Sequence, residues 1–137
     1  MDEQKNALVA DDDEGPRDIN RRYIEKLGYE IKTAEDGKQA LDILNSSSDI
    51  TLLVTDFEMP NMDGCELTKA IRKHSVYKEL PVVMASGKAF EEKVQKSAKE
   101  SGVTALICKP YNQEELKIVI ETIEKGYLSA GEFMYFD

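Results

Sequence analysis

Cysteines, histidines and long apolar runs are scarce in this sequence of 137 residues. The two cysteines, Cys65 and Cys108, cannot make a disulfide framework, and they indicate a reduced compartment. The longest apolar runs, such as 52–54 and 80–85, are far too short to cross a bilayer. The opening residues, MDEQKN, carry no apolar signal region, so nothing points to export. We therefore predict a cytoplasmic protein without membrane contact.

Positive charge is scarce as well. The chain has 18 lysines and arginines against 27 aspartates and glutamates, for a net charge of −9. This excess would repel a phosphate backbone, so we predict no binding to nucleic acid. With 41% hydrophobic and 33% charged residues, the composition is typical of one globular domain.

Short apolar runs alternate with amphipathic segments of helical length. The alternation predicts an α/β fold, a doubly wound (βα)5 arrangement with a five-stranded parallel sheet. The first helix is predicted to bury Ile19. The fourth has a thin apolar face of Phe90, Val94 and Ala98, so we expect it to pack least firmly. The predicted strands are 7–10, 29–34, 50–55, 81–86 and 104–108, and the predicted helices are about 16–28, a segment after the turn at 36–37, about 63–74, about 90–101 and about 113–125.

Polar and charged residues follow four of these strands. In parallel α/β sheets, ligands bind beyond the carboxyl ends of the strands. The acidic run 11–14 taken alone is typical of a solvated loop. A further carboxylate, a hydroxyl and an ammonium at neighbouring strand ends instead favour a phosphoryl group held beside Mg²⁺. The residues at the strand ends are Asp11, Asp12 and Asp13, then Asp56, Ser86 and Lys109.

Asp56 is the candidate nucleophile of this cluster. A carboxylate can attack phosphorus and form an acyl phosphate, a reaction governed by positioning and charge neutralisation. No histidine is needed as a base. The single histidine, His74, lies near the end of a predicted helix and is expected at the surface.

Four stretches of the sequence carry a family resemblance over nearly the whole chain. They are LVADDD after the first strand, LVTDFEMPNMDG around Asp56, LPVVMASG at the fourth strand and CKP at the fifth. In order and spacing they resemble the receiver domain of two-component response regulators, and MPNMDG is similar to the stand-alone chemotaxis regulators. The resemblance implies a flavodoxin-like sheet with strand order 2-1-3-4-5.

The resemblance also implies a role for each site residue. Asp56 would be the phosphorylated aspartate, Ser86 the switch hydroxyl, and Lys109 the partner of the phosphoryl oxygens. Mg²⁺, or Mn²⁺, would be bound by Asp12 directly, by Asp11 mainly through water, by Asp56, and by the backbone carbonyl of Glu58. The peptide bond between Lys109 and Pro110 is a candidate for the cis form.

The same resemblance implies partners and an output. A sensor histidine kinase or a histidine phosphotransfer protein would supply the phosphoryl group, and a downstream protein would read the change. The chain would catalyse only its own phosphorylation and dephosphorylation. It would be a monomer, or a weak dimer through the fourth helix, fifth strand and fifth helix.

Three features depart from the family pattern. Leu106 stands where the family often has an aromatic switch residue, so the output surface could respond differently. Glu58 and Lys88 flank the path of the attacking water, and we hypothesise that they pair and slow hydrolysis of the acyl phosphate. The tail, 127–137, is unexpectedly apolar after a receiver domain at 1–126. It could pack on the domain, bind a partner, or lead to an output domain.

Two other functions share parts of this pattern. A magnesium-dependent phosphatase of the haloacid-dehalogenase type also uses an aspartate at a strand end, but it needs a second aspartate two residues later, where this chain has Glu58. A flavodoxin-like cofactor binder needs a phosphate loop rich in serine, threonine or glycine after the first strand, and DDDEGP is its electrostatic opposite.

Overall fold

A computed structural model of the chain describes residues 4–129 and 131–137. Six strands alternate with five helices along the chain. The strands are β1 Asn6–Ala10, β2 Glu30–Ala34, β3 Leu52–Asp56, β4 Val82–Ser86, β5 Ala105–Cys108 and β6 Met134–Phe136. The helices are α1 Glu14–Glu25, α2 Gly37–Asn45, α3 Gly64–Arg72, α4 Glu92–Ser101 and α5 Gln113–Glu124.

The strands form one parallel sheet in the order β2-β1-β3-β4-β5-β6. Alternate residues of each strand point to opposite faces, as a pleated strand requires. Leu8 of β1 therefore joins the core cluster beneath α2, α3 and α4, whereas Val9 joins the cluster beneath α1 and α5. The doubly wound fold and the strand order 2-1-3-4-5 are confirmed, with one strand added.

Polar side chains cap the first turn of α3, the helix that follows β3. Asp63 accepts a hydrogen bond from the Glu66 amide at 2.8 Å, and Glu66 accepts one from the Asp63 amide at 3.2 Å. This capping box satisfies donors that the first turn of α3 leaves free. The helix predicted to begin at about residue 63 is confirmed. Glu91, at the start of α4, makes no such side-chain cap.

Two predicted core residues are instead exposed. Ile19 is 48% exposed because Asn20 and Ile24 are the residues of α1 that face the sheet, and one helical position turns a side chain by about 100°. Phe90 is 65% exposed and precedes α4, which begins at Glu92. The prediction that both side chains pack in the core was wrong.

The sixth strand corrects the expectation of a five-stranded sheet. Residues Met134–Phe136 of the tail pair in parallel with β5, so this part of the tail packs on the domain. Three residues are too few for a recognisable period, which is why the sequence did not predict the strand. Within the described residues, no helix has the length and apolar character needed to cross a bilayer.

Candidate functional site

The predicted site residues meet at one edge of the sheet, where β1, β3, β4 and β5 end. Asp56 and Ser86 are the last residues of β3 and β4, while Asp11 and Lys109 follow β1 and β5 directly. Parallel strands bring their carboxyl ends to the same edge, so residues far apart in sequence become neighbours. The structure brings these four residues together, with Asp12 beside them.

Two carboxylates contact one ammonium group at this edge, and a third carboxylate lies beside them. The Lys109 Nζ atom lies 2.7 Å from Asp56 Oδ1 and 4.0 Å from Asp11 Oδ2. One carboxylate oxygen each from Asp11, Asp12 and Asp56 lie within 4.8 Å of one another. The side chain of Asp56 is 13% exposed and that of Lys109 is 31% exposed, so the pair remains open to a reactant.

Burial and crowding disfavour the charged form of two of these carboxylates. Burial raises the pKa of Asp56, the contact with Lys109 opposes that rise, and Asp12 adds to it. Burial likewise raises the pKa of Asp11, opposed by the amide of Asp13 and reinforced by Asp56. The single ammonium group of Lys109 therefore does not neutralise the negative charge of these carboxylates.

The donor set fits a hard divalent cation. Asp11 Oδ2 is buried and has no hydrogen-bond partner, although its other oxygen accepts the Asp13 amide at 3.0 Å. Buried polar atoms are normally paired, so this oxygen lacks a partner that a cation would supply. Carboxylate oxygens are the ligands that Mg²⁺ prefers.

The loop after β3 is tied to the start of α2. The Asn61 side chain donates to Asp36 at 2.9 Å, and the Gly37 amide donates to the Met62 carbonyl at 3.2 Å. A Cβ atom on Gly37 would lie 2.5 Å from the Met62 carbonyl oxygen, so only glycine allows this approach. These contacts fix the loop that carries Glu58 past the site.

Gly64 brings the start of α3 against the site in a similar way. A Cβ atom on Gly64 would lie 2.5 Å from the backbone oxygen of Asp56, and its amide donates to the Phe57 carbonyl at 2.8 Å. This close approach depends on packing that a sequence pattern does not contain.

A shallow cavity of about 280 Å³ leads to Asp56. Glu58, Ser86, Lys88 and Lys109 are among the residues that line it. The Ser86 side chain is buried, and its hydroxyl oxygen accepts the Lys88 amide at 3.0 Å. No ion pair joins Glu58 to Lys88 in the described part of the chain. The two residues therefore share a cavity without pairing.

Behind the lysine, the structure shows a contact that the sequence did not predict. The Tyr111 hydroxyl donates to Asn20 Oδ1 at 2.6 Å, joining the segment after β5 to α1. Burial is the main reason that the pKa of Tyr111 is raised. The peptide bond between Lys109 and Pro110 is cis, as expected from the resemblance. Tyr111 and Asn20 are 91 residues apart in sequence, so local patterns give no signal for this contact.

Two predicted residues lie away from the chemistry. Leu106 is fully buried in β5, and His74 lies beyond the end of α3, where its Nε2 atom is 2.9 Å from Asn45 Oδ1. His74 is partly exposed and binds neither Asp56 nor Lys109.

A parallel α/β sheet with an acidic cluster and a lysine at its strand ends defines a phosphoacceptor signalling class. The chain belongs to the response regulator receiver domain family, whose model matches residues 7–121. Its function is that of a receiver in phosphorelay signalling.

Individual relatives agree with this membership. The chain is 35% identical over 117 residues to the chemotaxis protein CheY1 of Helicobacter pylori, covering 85% of this chain and 94% of that protein. The solved structure of CheY4, a chemotaxis response regulator of Vibrio cholerae, is similar with a TM-score of 0.82 and 29% identity. The match covers 88% of this chain and 99% of that one. Both of these relatives are chemotaxis proteins, and the match covers nearly the whole of each.

One relative shows the same domain in a different context. The chain is 40% identical over 114 residues to the sensor histidine kinase RcsC of Salmonella typhi, covering 80% of this chain but 11% of that protein. Receiver domains bind Mg²⁺ at an acidic pocket and interact with histidine kinases and downstream targets. No finding supports the phosphatase alternative, and Glu58 stands where that class needs an aspartate.

Proposed function

We propose that Asp56 accepts a phosphoryl group from the phosphohistidine of a sensor histidine kinase or a histidine phosphotransfer protein. The observation that carries the proposal is the 2.7 Å contact between Lys109 Nζ and Asp56 Oδ1 in an open cavity. The contact leaves Asp56 accessible and places an ammonium where phosphoryl oxygens would lie. An ion pair made only for stability would not need the two further carboxylates beside it.

The transfer needs no general base. An oxygen of the ionised Asp56 carboxylate forms the new O–P bond, the P–N bond to the donor imidazole breaks, and its electron pair returns to the imidazole nitrogen. Lys109 turns from the carboxylate to the phosphoryl oxygens, and the hydroxyl of Ser86 donates to one of them. Hydrolysis reverses the modification when water forms a bond to phosphorus and the P–O bond to Asp56 breaks.

We further propose that Mg²⁺, or Mn²⁺, is held by the carboxylates of Asp11, Asp12 and Asp56 and the backbone carbonyl of Glu58. When bound, the ion neutralises negative charge on the phosphoryl oxygens. Asp11 supports this set through its unpartnered oxygen, and its second oxygen is fixed by the Asp13 amide at 3.0 Å.

The output we propose is a protein contact that depends on the phosphorylated state. Ser86 and Leu106 would relay the change, and Glu58 and Lys88 would slow the approach of water from the shared cavity. The domain would act in the cytoplasm, as a monomer or a weak dimer through α4, β5 and α5. It would catalyse only its own phosphorylation and dephosphorylation. The receiver domain would end at residue 126, with the tail at 127–137.

Incubation with acetyl phosphate and Mg²⁺ tests the proposal. We expect one phosphoryl group per chain, stable in acid and labile in base, detected by intact-protein mass spectrometry. The group should be lost in Asp56→Asn and kept in Asp63→Asn, a matched control at a helix cap. Stoichiometric labelling of Asp56→Asn, or equal loss of the label in Asp63→Asn, would contradict the proposal.

A further inference from the structure

The tail strand β6 covers the edge of β5, the strand that leads to Lys109. Its residues Met134, Tyr135 and Phe136 lie opposite Ala105, Leu106 and Ile107 of β5. The Met134 amide donates to the Thr104 carbonyl at 3.0 Å. Without β6, the edge of β5 would expose unpaired backbone groups. The strand therefore becomes the edge strand of the sheet in place of β5.

The attachment of β6 is short compared with the other strand pairings in the sheet. Leu128 is 3% exposed and anchors the tail in the core beneath α1 and α5. Beyond it, Gly131 has a φ of +90°, a conformation that favours glycine. The strand itself has three residues, and Met134 is 41% exposed. Short ladders with little burial open at low free energy, so β6 can detach while Leu128 stays in place.

Tyr135 connects this strand to the site. Its ring lies in register with Leu106 and packs, with Phe133, against the core cluster that contains Leu106. Its hydroxyl donates to Asp137 Oδ1 at 3.1 Å. Cys108 lies two residues after Leu106 on the same face of β5 and packs against the same core cluster, so the Tyr135 ring is its diagonal neighbour in the ladder.

From Cys108 the contacts continue directly to Asp56. Cys108 lies opposite Ser86 in the ladder and precedes Lys109 in the chain. The Lys109 amide donates to the Ser86 carbonyl at 3.0 Å, and the Lys109 ammonium contacts Asp56. A shift of Lys109 toward a phosphoryl group would therefore move Cys108, the diagonal neighbour of the Tyr135 ring.

We propose that β6 is coupled to the site: Tyr135 is a positioning residue that favours the contact of Lys109 with Asp56, and phosphorylation of Asp56 releases β6 from β5. This inference rests on the proposed function. Attached β6 favours the unphosphorylated site, so phosphorylation weakens the attachment by the same factor that attachment weakens phosphorylation. We expect β6 to detach before any other strand because its three-residue ladder is the shortest pairing in the sheet.

Hydrogen exchange of the full chain with beryllofluoride and Mg²⁺ tests the release. Bound beryllofluoride is detected by ¹⁹F NMR, and exchange is followed by mass spectrometry in peptides that cover 133–137. We expect these amides to exchange about fivefold faster in the bound form, at the lower end of common couplings, while α5 keeps its protection. Bound beryllofluoride with unchanged or slower exchange overturns the coupling alone. No bound signal overturns the proposed function and the coupling with it.

Variants of Tyr135 test the reciprocal effect. Tyr135→Ala should lower the beryllofluoride concentration at half-saturation by about fivefold at fixed Mg²⁺. Tyr135→Phe keeps the ring packing and should remain near wild type. Tyr127→Ala is the matched control, because Tyr127 is 76% exposed in the same tail but outside β6. Circular dichroism confirms that each variant is folded. Equal midpoints for Tyr135→Ala and Tyr127→Ala overturn the coupling.

Discussion

The two ends of the sheet differ in how completely their charged groups are paired. At the amino end, Lys5 lies 3.1 Å from Glu124, the Tyr29 hydroxyl donates to the same carboxylate at 2.6 Å, and Lys5 lies 5.4 Å from the centre of the Tyr29 ring. One ammonium, one carboxylate and one hydroxyl satisfy each other there. At the carboxyl end, Asp11 and Asp56 share the ammonium of Lys109, and the carboxylate of Asp12 lies beside them.

This difference separates a structural cluster from a binding site. The charged and polar groups of the amino-end cluster pair with one another, so a bound cation would add little stability there. The carboxyl-end cluster keeps an unpartnered oxygen on Asp11 and an excess of negative charge. Charge left uncompensated in a partly buried place is costly unless a ligand completes it.

The largest predicted effect is stabilisation by Mg²⁺. At a concentration about 100-fold above its Kd, the ion should raise the free energy of unfolding by about 2.7 kcal/mol, because it binds only the folded site. Asp12→Asn should lose most of this gain. Glu124→Gln, which changes the amino end, should keep it. Urea denaturation with Mg²⁺ and with EDTA measures the gain. An equal gain in Asp12→Asn and wild type would show that the ion binds elsewhere.

Replacing Lys109 should lower the free energy of unfolding more than replacing Lys5. In EDTA, Lys109→Met should lower the free energy of unfolding by about 2 kcal/mol, because it leaves three carboxylates without their counter-charge. Lys5→Met should cost less than about 1 kcal/mol, because its ion pair is largely exposed. Denaturation of both variants in the same buffer makes the comparison. A larger loss for Lys5→Met would reverse the assignment of the two ends.

The smallest predicted effect is a pH dependence at Asp11. Its pKa is raised in the folded state, so the folded state binds the proton more tightly than the unfolded chain. This contribution to stability is present below the unfolded pKa and is lost as pH rises through the folded pKa. In EDTA, Asp11→Asn should therefore gain stability relative to wild type as pH rises from about 4 to about 7.

Glu124→Gln is the control at the other end. It breaks contacts with Lys5 and Tyr29, so it should lose stability near neutral pH instead of gaining it. Thermal denaturation across the pH range measures both variants. A difference between Asp11→Asn and wild type that shrinks toward neutral pH would show that Asp11 is compensated within the chain.

The sequence predicted the carboxyl end better than the amino end. Parallel strands bring their carboxyl ends together whatever the packing details, so Asp11, Asp56, Ser86 and Lys109 could be assigned to one place. The Tyr29 hydroxyl and its partner, Glu124, are 95 residues apart, and no strand-end rule joins them.

The errors in the predicted fold have a similar origin. Periodicity assigns a helical face only to within about one residue, so Ile19 was placed in the core although its neighbour Asn20 is buried. The strand at 134–136 is stabilised by the edge of β5, which becomes available only once the sheet has formed. Local propensity does not contain this information.

Trapping the acyl phosphate with borohydride tests directly whether Asp56 is the phosphoacceptor. After incubation with acetyl phosphate and Mg²⁺, reduction converts a phosphorylated aspartate into homoserine, and tandem mass spectrometry locates it in the chain. We expect homoserine at position 56 and at none of the other strand-end carboxylates. Homoserine at position 11 or 12 instead, or no reduction at any aspartate, would contradict it.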